Sequence, residues 1–145
     1  MVHKISTSRK NNKFQYKING QVYIVPNIGF QIKLWDFDFA CIPGLVDNSK
    51  VDAKWTNRIN VKPRKHRYYD VHYFFNTLTR KGFFPEFWTE ECISDKIRNF
   101  VRRVVPLEFT SGDNVTERGR LLIDEEYLTP DEILKNDQFF KIMRV

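Results

Sequence analysis

The stretch "FQYKINGQVYIV", residues 14–25, constrains this chain more than any other. Phe14, Tyr16 and Ile18 alternate with polar residues, the chain reaches Asn19-Gly20, and β-favouring residues then resume through Val25. A two-residue reversal with the hand of twisted strands needs positive φ at both turn positions. Asn followed by Gly meets that demand at least steric cost, so the stretch predicts a tight antiparallel hairpin. Pro26 ends it, and Gly29 precedes a third short strand, Phe30 to Trp35.

That third strand runs into "IKLWDFDFA", residues 32–40, where Asp36 and Asp38 lie among Trp35, Phe37 and Phe39. An ionised carboxylate in apolar company loses its hydration and needs a cation, a set of donors or solvent. Strand alternation places Phe30, Ile32, Leu34, Asp36 and Asp38 on one side. Two carboxylates leaving a strand into a loop suit Mg²⁺, which takes one or two carboxylate oxygens together with water and phosphate oxygens. The competing reading is that both cap a turn or pair with nearby cations.

From Cys41 to Arg67 no period is sustained, and Pro43-Gly44, Asp47-Asn48 and Pro63 supply turn chemistry. Such a segment inside a folded domain is expected to be functional or mobile. It is also where the charge lies. Of a net +6, residues 50–68 hold seven cations, Lys50, Lys54, Arg58, Lys62, Arg64, Lys65 and Arg67, against Asp52 alone. A concentration of this kind attracts nucleic acid, anionic lipid or an acidic or phosphorylated partner, or simply keeps a loop solvated.

Helical periodicity follows. In "YYDVHYFFNTL" the residues Val71, Phe74, Phe75 and Leu78 fall at i, i+3, i+4, i+7 behind Asp70, which predicts a helix with an aromatic core face. A second helix, Glu90 to Val104, is expected to bury Ile93, Ile97, Phe100, Val101 and Val104 and to expose Lys96, Arg98, Arg102 and Arg103. A third begins at "TPDEIL", with Thr129 as N-cap, Pro130 at the first helical position and Glu132 completing a capping box. Strands come first and helices later, so the expectation is one α+β domain over residues 1–145, dominated by helices.

Cys41 and Cys92 have no ligand or disulfide spacing, and both are expected to be buried or half-buried thiols. No serine or cysteine stands in a recognisable nucleophilic constellation. His3, His66 and His72 suggest no catalytic role. The apolar runs are too short for a membrane span and the N-terminus lacks the apolar centre of a signal peptide, so the chain reads as intracellular with no membrane partner.

Taken in order, these motifs resemble the C-terminal lobe of eukaryotic-type Ser/Thr protein kinases. "IKLWDFDFA" is similar to the strand and metal-binding Asp-Phe-Gly segment, with Asp38 where the family has glycine. "YYDVHYFFNTL" looks like the lobe's central helix, and "RGRLLIDEEYLTPDEILKNDQFF" like its closing stretch. The resemblance spans Phe14 to Phe140, and the wording is most like kinase-like proteins of large DNA viruses. It implies that Asp36 and Asp38 face Mg²⁺ and that Asp36 and Phe37 lie beside ATP. Residues 39–67 would then be an activation-type segment and Asp70 a structural brace.

The departures carry equal weight. A working kinase places a glycine-rich loop, a strand lysine and a catalytic loop ahead of the metal aspartate. Only 35 residues precede Asp36 and none supplies these; "HRYYD", residues 66–70, follows it instead. The implied object is a truncated kinase-like domain in which "MVHKI" is the strand after an absent catalytic loop. Such a domain would be inactive alone in phosphoryl transfer, in the cytoplasm of a host cell or in a virion. A second reading stays open, a non-catalytic scaffold whose Lys62, Arg64, Lys65 and Arg67 bind an acidic protein or nucleic acid, with Trp55, Tyr68 and Tyr69 available for stacking. A kinase rear lobe normally packs against elements missing from this sequence, so an exposed apolar patch and a protein partner or self-association are also expected.

Overall fold

The Asn-Gly reversal forms as its chemistry requires. In the computed structural model, which describes residues 2–5, 13–33, 38–122 and 127–145, strand β2 (Lys13–Ile18) pairs antiparallel with β3 (Gln21–Pro26) in the register Tyr16↔Tyr23. Asn19 and Gly20 take φ of 50° and 81°, the positive values the sequence anticipates. A second two-stranded sheet joins β1 (Val2–Lys4) to β4 (Phe30–Ile32), also antiparallel, with Val2↔Ile32 and Lys4↔Phe30. Thus Val2–Lys4 of "MVHKI" form a strand, and the end of the expected third strand, Leu34 and Trp35, lies outside the described residues.

The architecture is mixed α+β. Among the described residues four helices follow the strands, α1 (Tyr69–Leu78), α2 (Asp95–Val104), α3 (Pro130–Asn136) and α4 (Gln138–Lys141), with short 3₁₀ turns between them. The chain divides into two compact units, Met1–Asp38 with Phe140–Val145, and Phe39–Phe139. In the first, Tyr23 is the buried apolar residue of the hairpin. There the tail lies along the free edge of β3: Ile24 donates to the carbonyl of Met143 at 2.6 Å, and Val145 donates to that of Val22 at 3.1 Å. Covering an edge strand removes a template for unwanted pairing. Val2, Phe30 and Ile32, on one face of the β1–β4 pair, stay exposed.

In the second unit α2 buries Phe100, Val101 and Val104, as periodicity demands, each worth about 1.5–3 kcal/mol when fully withdrawn from water. Phe100 stacks on Phe139 at 4.7 Å and meets Phe75 of α1 edge-on at 5.7 Å. The helix starts later than expected, with Ser94 at the N-cap position, because the preceding residues turn. Ile93 is only half-buried and Ile97 is exposed, so the buried stripe is narrower than the pattern implied. Arg103 forms a two-pronged pair with Asp137, at 2.8 and 2.9 Å. α3 begins with the anticipated capping box, in which the backbone N–H of Thr129 donates to Glu132 at 2.8 Å and the Glu132 N–H donates to the Thr129 hydroxyl at 3.4 Å.

Two expectations need correction. Cys92 is exposed, because it lies in the turn ahead of α2 and outside its buried stripe, while Cys41 is half-buried; both are free thiols. The buried face of α1 is carried by His72 and Asn76, each 1% exposed, whereas Phe74 faces solvent at 60%. The reason is tertiary. The strip from Phe109 to Leu121 turns backbone carbonyls toward α1, and such groups need donors when water is excluded. The Asn76 side-chain amide donates to the carbonyls of Phe109 (3.0 Å) and Gly119 (3.1 Å), and the Thr77 hydroxyl donates to that of Arg118 (2.8 Å). At Gly119, with φ of 86°, a Cβ would stand 3.1 Å from the backbone of Asn76 and Thr77, so the approach depends on glycine.

Candidate functional site

The basic segment is folded rather than structureless. Asn48 organises its start: the side chain accepts from the N–H of Lys50 at 3.0 Å and donates to the carbonyl of Ala40 at 3.1 Å. A 3₁₀ turn, Lys54–Arg58, is pinned by Thr56, which is fully buried and donates its hydroxyl to the carbonyls of Val51 (2.9 Å) and Ala53 (2.6 Å). Val51, Ile59 and Val61 are buried beside it.

The same Val51 carbonyl accepts from the Lys62 ammonium at 3.0 Å, and that ammonium pairs with Asp52 at 3.2 Å. Lys62 also donates its backbone N–H to Nδ1 of the buried His66 at 2.9 Å. These bonds make Lys62 a strut of the segment rather than an open cation. Arg64, Lys65 and Arg67 are exposed. Arg67 has an acidic neighbour in Glu132, whose carboxyl is held below its ordinary range chiefly by the Thr129 backbone N–H and in smaller part by the Arg67 charge. Lys54, Trp55 and Arg58 are also exposed. Periodicity did not distinguish them, and only the inward turn of Thr56 reveals them. Cys41, Val46, Asp47, Asp52, Lys62 and Lys65 are among the walls of an open cleft of about 310 Å³.

The carboxylates assigned to the metal fall unevenly. Asp36 and Phe37 lie outside the described residues. Asp38 is exposed at the turn after β4. Among the described residues no three His, Cys, Asp or Glu side chains gather as a metal cluster. Asp70 stands exposed in the first turn of α1. An acidic group there is favoured by the positive end of the helix.

Beside Asp70 the segment closes into an aromatic cluster. His72 meets Tyr127 at 4.5 Å and Tyr68 at 5.6 Å, Tyr68 meets Tyr127 at 4.8 Å, and Phe109 meets Tyr127 at 5.0 Å. Val115 and Leu121 complete it. Tyr68 is 4% exposed and therefore cannot serve as a stacking surface for a ligand, a further correction to the sequence reading. Neither nitrogen of His72 has a hydrogen-bond partner among the described residues, and burial lowers its pKa from 6.5 to about 4. Burial likewise raises the Tyr69 hydroxyl, against the opposing charge of Arg120.

A hairpin, a short strand ending at an acidic aromatic motif, an anchored basic segment and an acid-headed helix follow one another in the order of a kinase-like protein of a large DNA virus. The comparisons bear this out. Residues 5–128 match the family described as poxvirus serine/threonine protein kinase, and the chain belongs to that family. A protein of Acanthamoeba polyphaga mimivirus named "Putative serine/threonine-protein kinase" is 49% identical over 132 residues, covering 90% of this chain and 28% of that protein. The chain therefore spans little more than a quarter of the length of this relative. No solved structure matches. Among the described residues no helix is long and apolar enough to cross a membrane.

Proposed function

We propose that this chain is a kinase-like module in which Asp36 is the magnesium-facing aspartate. In this reading Phe37 packs behind it next to the nucleotide, Asp38 is a solvent-side second carboxylate, residues 39–67 form an activation-type segment, and Asp70 braces the head of α1. The observation that supports the reading is the family match, whose span, residues 5–128, includes these positions. Residues 1–145 include no glycine-rich loop and no catalytic loop ahead of Asp36. On their own they lack the base for an acceptor hydroxyl and most of the nucleotide cradle, and isolated phosphoryl transfer is negligible. ATP and Mg²⁺ would at most bind weakly. Calorimetric titration with Mg²⁺ and ATP tests this: a weak heat in the wild type that disappears in Asp36→Ala supports the reading, and a heat unchanged by that substitution refutes it.

A second reading is favoured by the exposed cations of the segment, with Lys54, Arg58 and Arg64 unpaired among the described residues. It is a non-catalytic binding module whose basic surface holds an anionic partner. The exposed apolar face of Val2, Phe30 and Ile32 supports a protein partner or self-association in either case.

A further inference from the structure

Trp55 is 53% exposed, although it belongs to a well-anchored turn. With Thr56 buried and bonded inward, the remaining residues of Lys54–Arg58, namely Lys54, Trp55, Asn57 and Arg58, all face solvent. Phe39 meets the indole edge-on at 5.8 Å, which fixes the ring while half of its surface stays open. Lys54 and Arg58 flank it in sequence, and neither has an ion-pair partner among the described residues. The Val51 carbonyl, accepting from both Thr56 and Lys62, ties this turn to the 62–65 turn, where Arg64 is a further exposed cation. Of the local carboxylates, Asp52 is already engaged by Lys62, and Asp47 lies in the cleft wall.

We infer that Trp55, Lys54 and Arg58, supported by Arg64, form a contact surface for single-stranded nucleic acid, in which a base stacks on the indole and the cations take flanking phosphates. The inference rests on the second reading above and narrows its partner. An acidic peptide would satisfy the cations but has no use for a held, half-open indole. A polynucleotide strand presents both repeated negative charge and aromatic faces, and base–aromatic stacking is tolerant of sequence.

Fluorescence anisotropy with a labelled oligothymidylate at low salt, alongside a labelled poly-glutamate, tests the inference on the full chain. Trp55→Ala is expected to weaken oligonucleotide binding roughly tenfold, Trp55→Phe to restore most of it, and poly-glutamate binding to be the same in all three. The double charge reversal Lys54→Glu with Arg58→Glu is expected to abolish both. Cooperative melting of each variant controls for folding, and quenching of wild-type tryptophan fluorescence by the oligonucleotide gives a readout independent of substitution. Equal oligonucleotide affinity in the wild type and Trp55→Ala overturns the inference. If the charge reversal still removes binding in that case, the second reading survives without it. Capture of poly-glutamate but not the oligonucleotide also overturns it and makes the partner an acidic protein. If neither binds, the inference and the second reading fail together.

Discussion

Lowering the pH from about 7 to about 5 should destabilise the Phe39–Phe139 unit through His72. Burial depresses this imidazole from 6.5 to about 4 in the folded state, and no charged group among the described residues is a cause of the shift. The rings against it are the phenols of Tyr68 and Tyr127, and Asn76 lies one helical turn on. Between the two values the unfolded chain carries the proton and the folded chain refuses it. Stability therefore rises with pH across that window and is lost as pH falls through it. At about 1.4 kcal/mol per pK unit the whole window is worth roughly 3 kcal/mol, of which about 2 kcal/mol is spent by pH 5. Urea unfolding at the two pH values, for wild type and His72→Phe, measures it. The phenylalanine keeps an aromatic ring against Tyr127 and forfeits no hydrogen bond of the described residues. It should be close to neutral near pH 7 and should lose roughly 2 kcal/mol of the pH dependence. An unchanged slope in His72→Phe would show that the imidazole is solvated or partnered in solution, and the argument would collapse.

Further substitutions probe the packing around that helix. Gly119→Ala should cost about 1–3 kcal/mol, because the new methyl meets the Asn76 and Thr77 backbone at 3.1 Å while φ stays positive; a melting temperature equal to wild type would contradict this. Asp137→Ala should cost about 2 kcal/mol, between the values for exposed and buried pairs, since Arg103 is about a third exposed and Asp137 nearly buried. The Asp137 carboxyl is depressed, first by its hydrogen bond to Arg103, so its contribution is present above the ordinary carboxylate pKa and is lost as pH falls through the lower folded-state value; chemical denaturation at about pH 3 and about pH 6 should find a smaller deficit of the variant at the lower value.

What was legible in the sequence was local. Asn19-Gly20 determines a turn by its own φ preferences, Thr129 and Glu132 cap each other across three residues, and Phe100, Val101 and Val104 share one side of a helix by spacing alone. The buried face of α1 was not legible. Its apolar stripe pointed to Phe74, but the strip between Phe109 and Leu121 demands donors, and Asn76 answers from the polar side. The architecture of the basic segment was not legible for a related reason. Composition registers Lys62 as charge, while its partners Val51, Asp52 and His66 reveal it as a strut. Trp55 and Tyr68 looked alike as aromatic residues among cations, and only their neighbours separate the open ring from the buried one. Asp36 was singled out as a candidate metal ligand from its apolar company, and it lies outside the described residues.

The tail along β3 has a consequence for biosynthesis. Gln21 and Val145, whose side-chain amide and carbonyl meet at 2.8 Å, are 124 positions apart. A ribosome releases the hairpin early and its edge cover late, so throughout translation of the intervening helices the Gln21–Pro26 ribbon presents unpaired amides to its surroundings. The helical unit can collapse as soon as it emerges, but the first unit must wait until Phe140–Val145 have been made. Nascent chains would be most prone to strand-to-strand misassociation during that interval, and a holding chaperone would have its clearest role there.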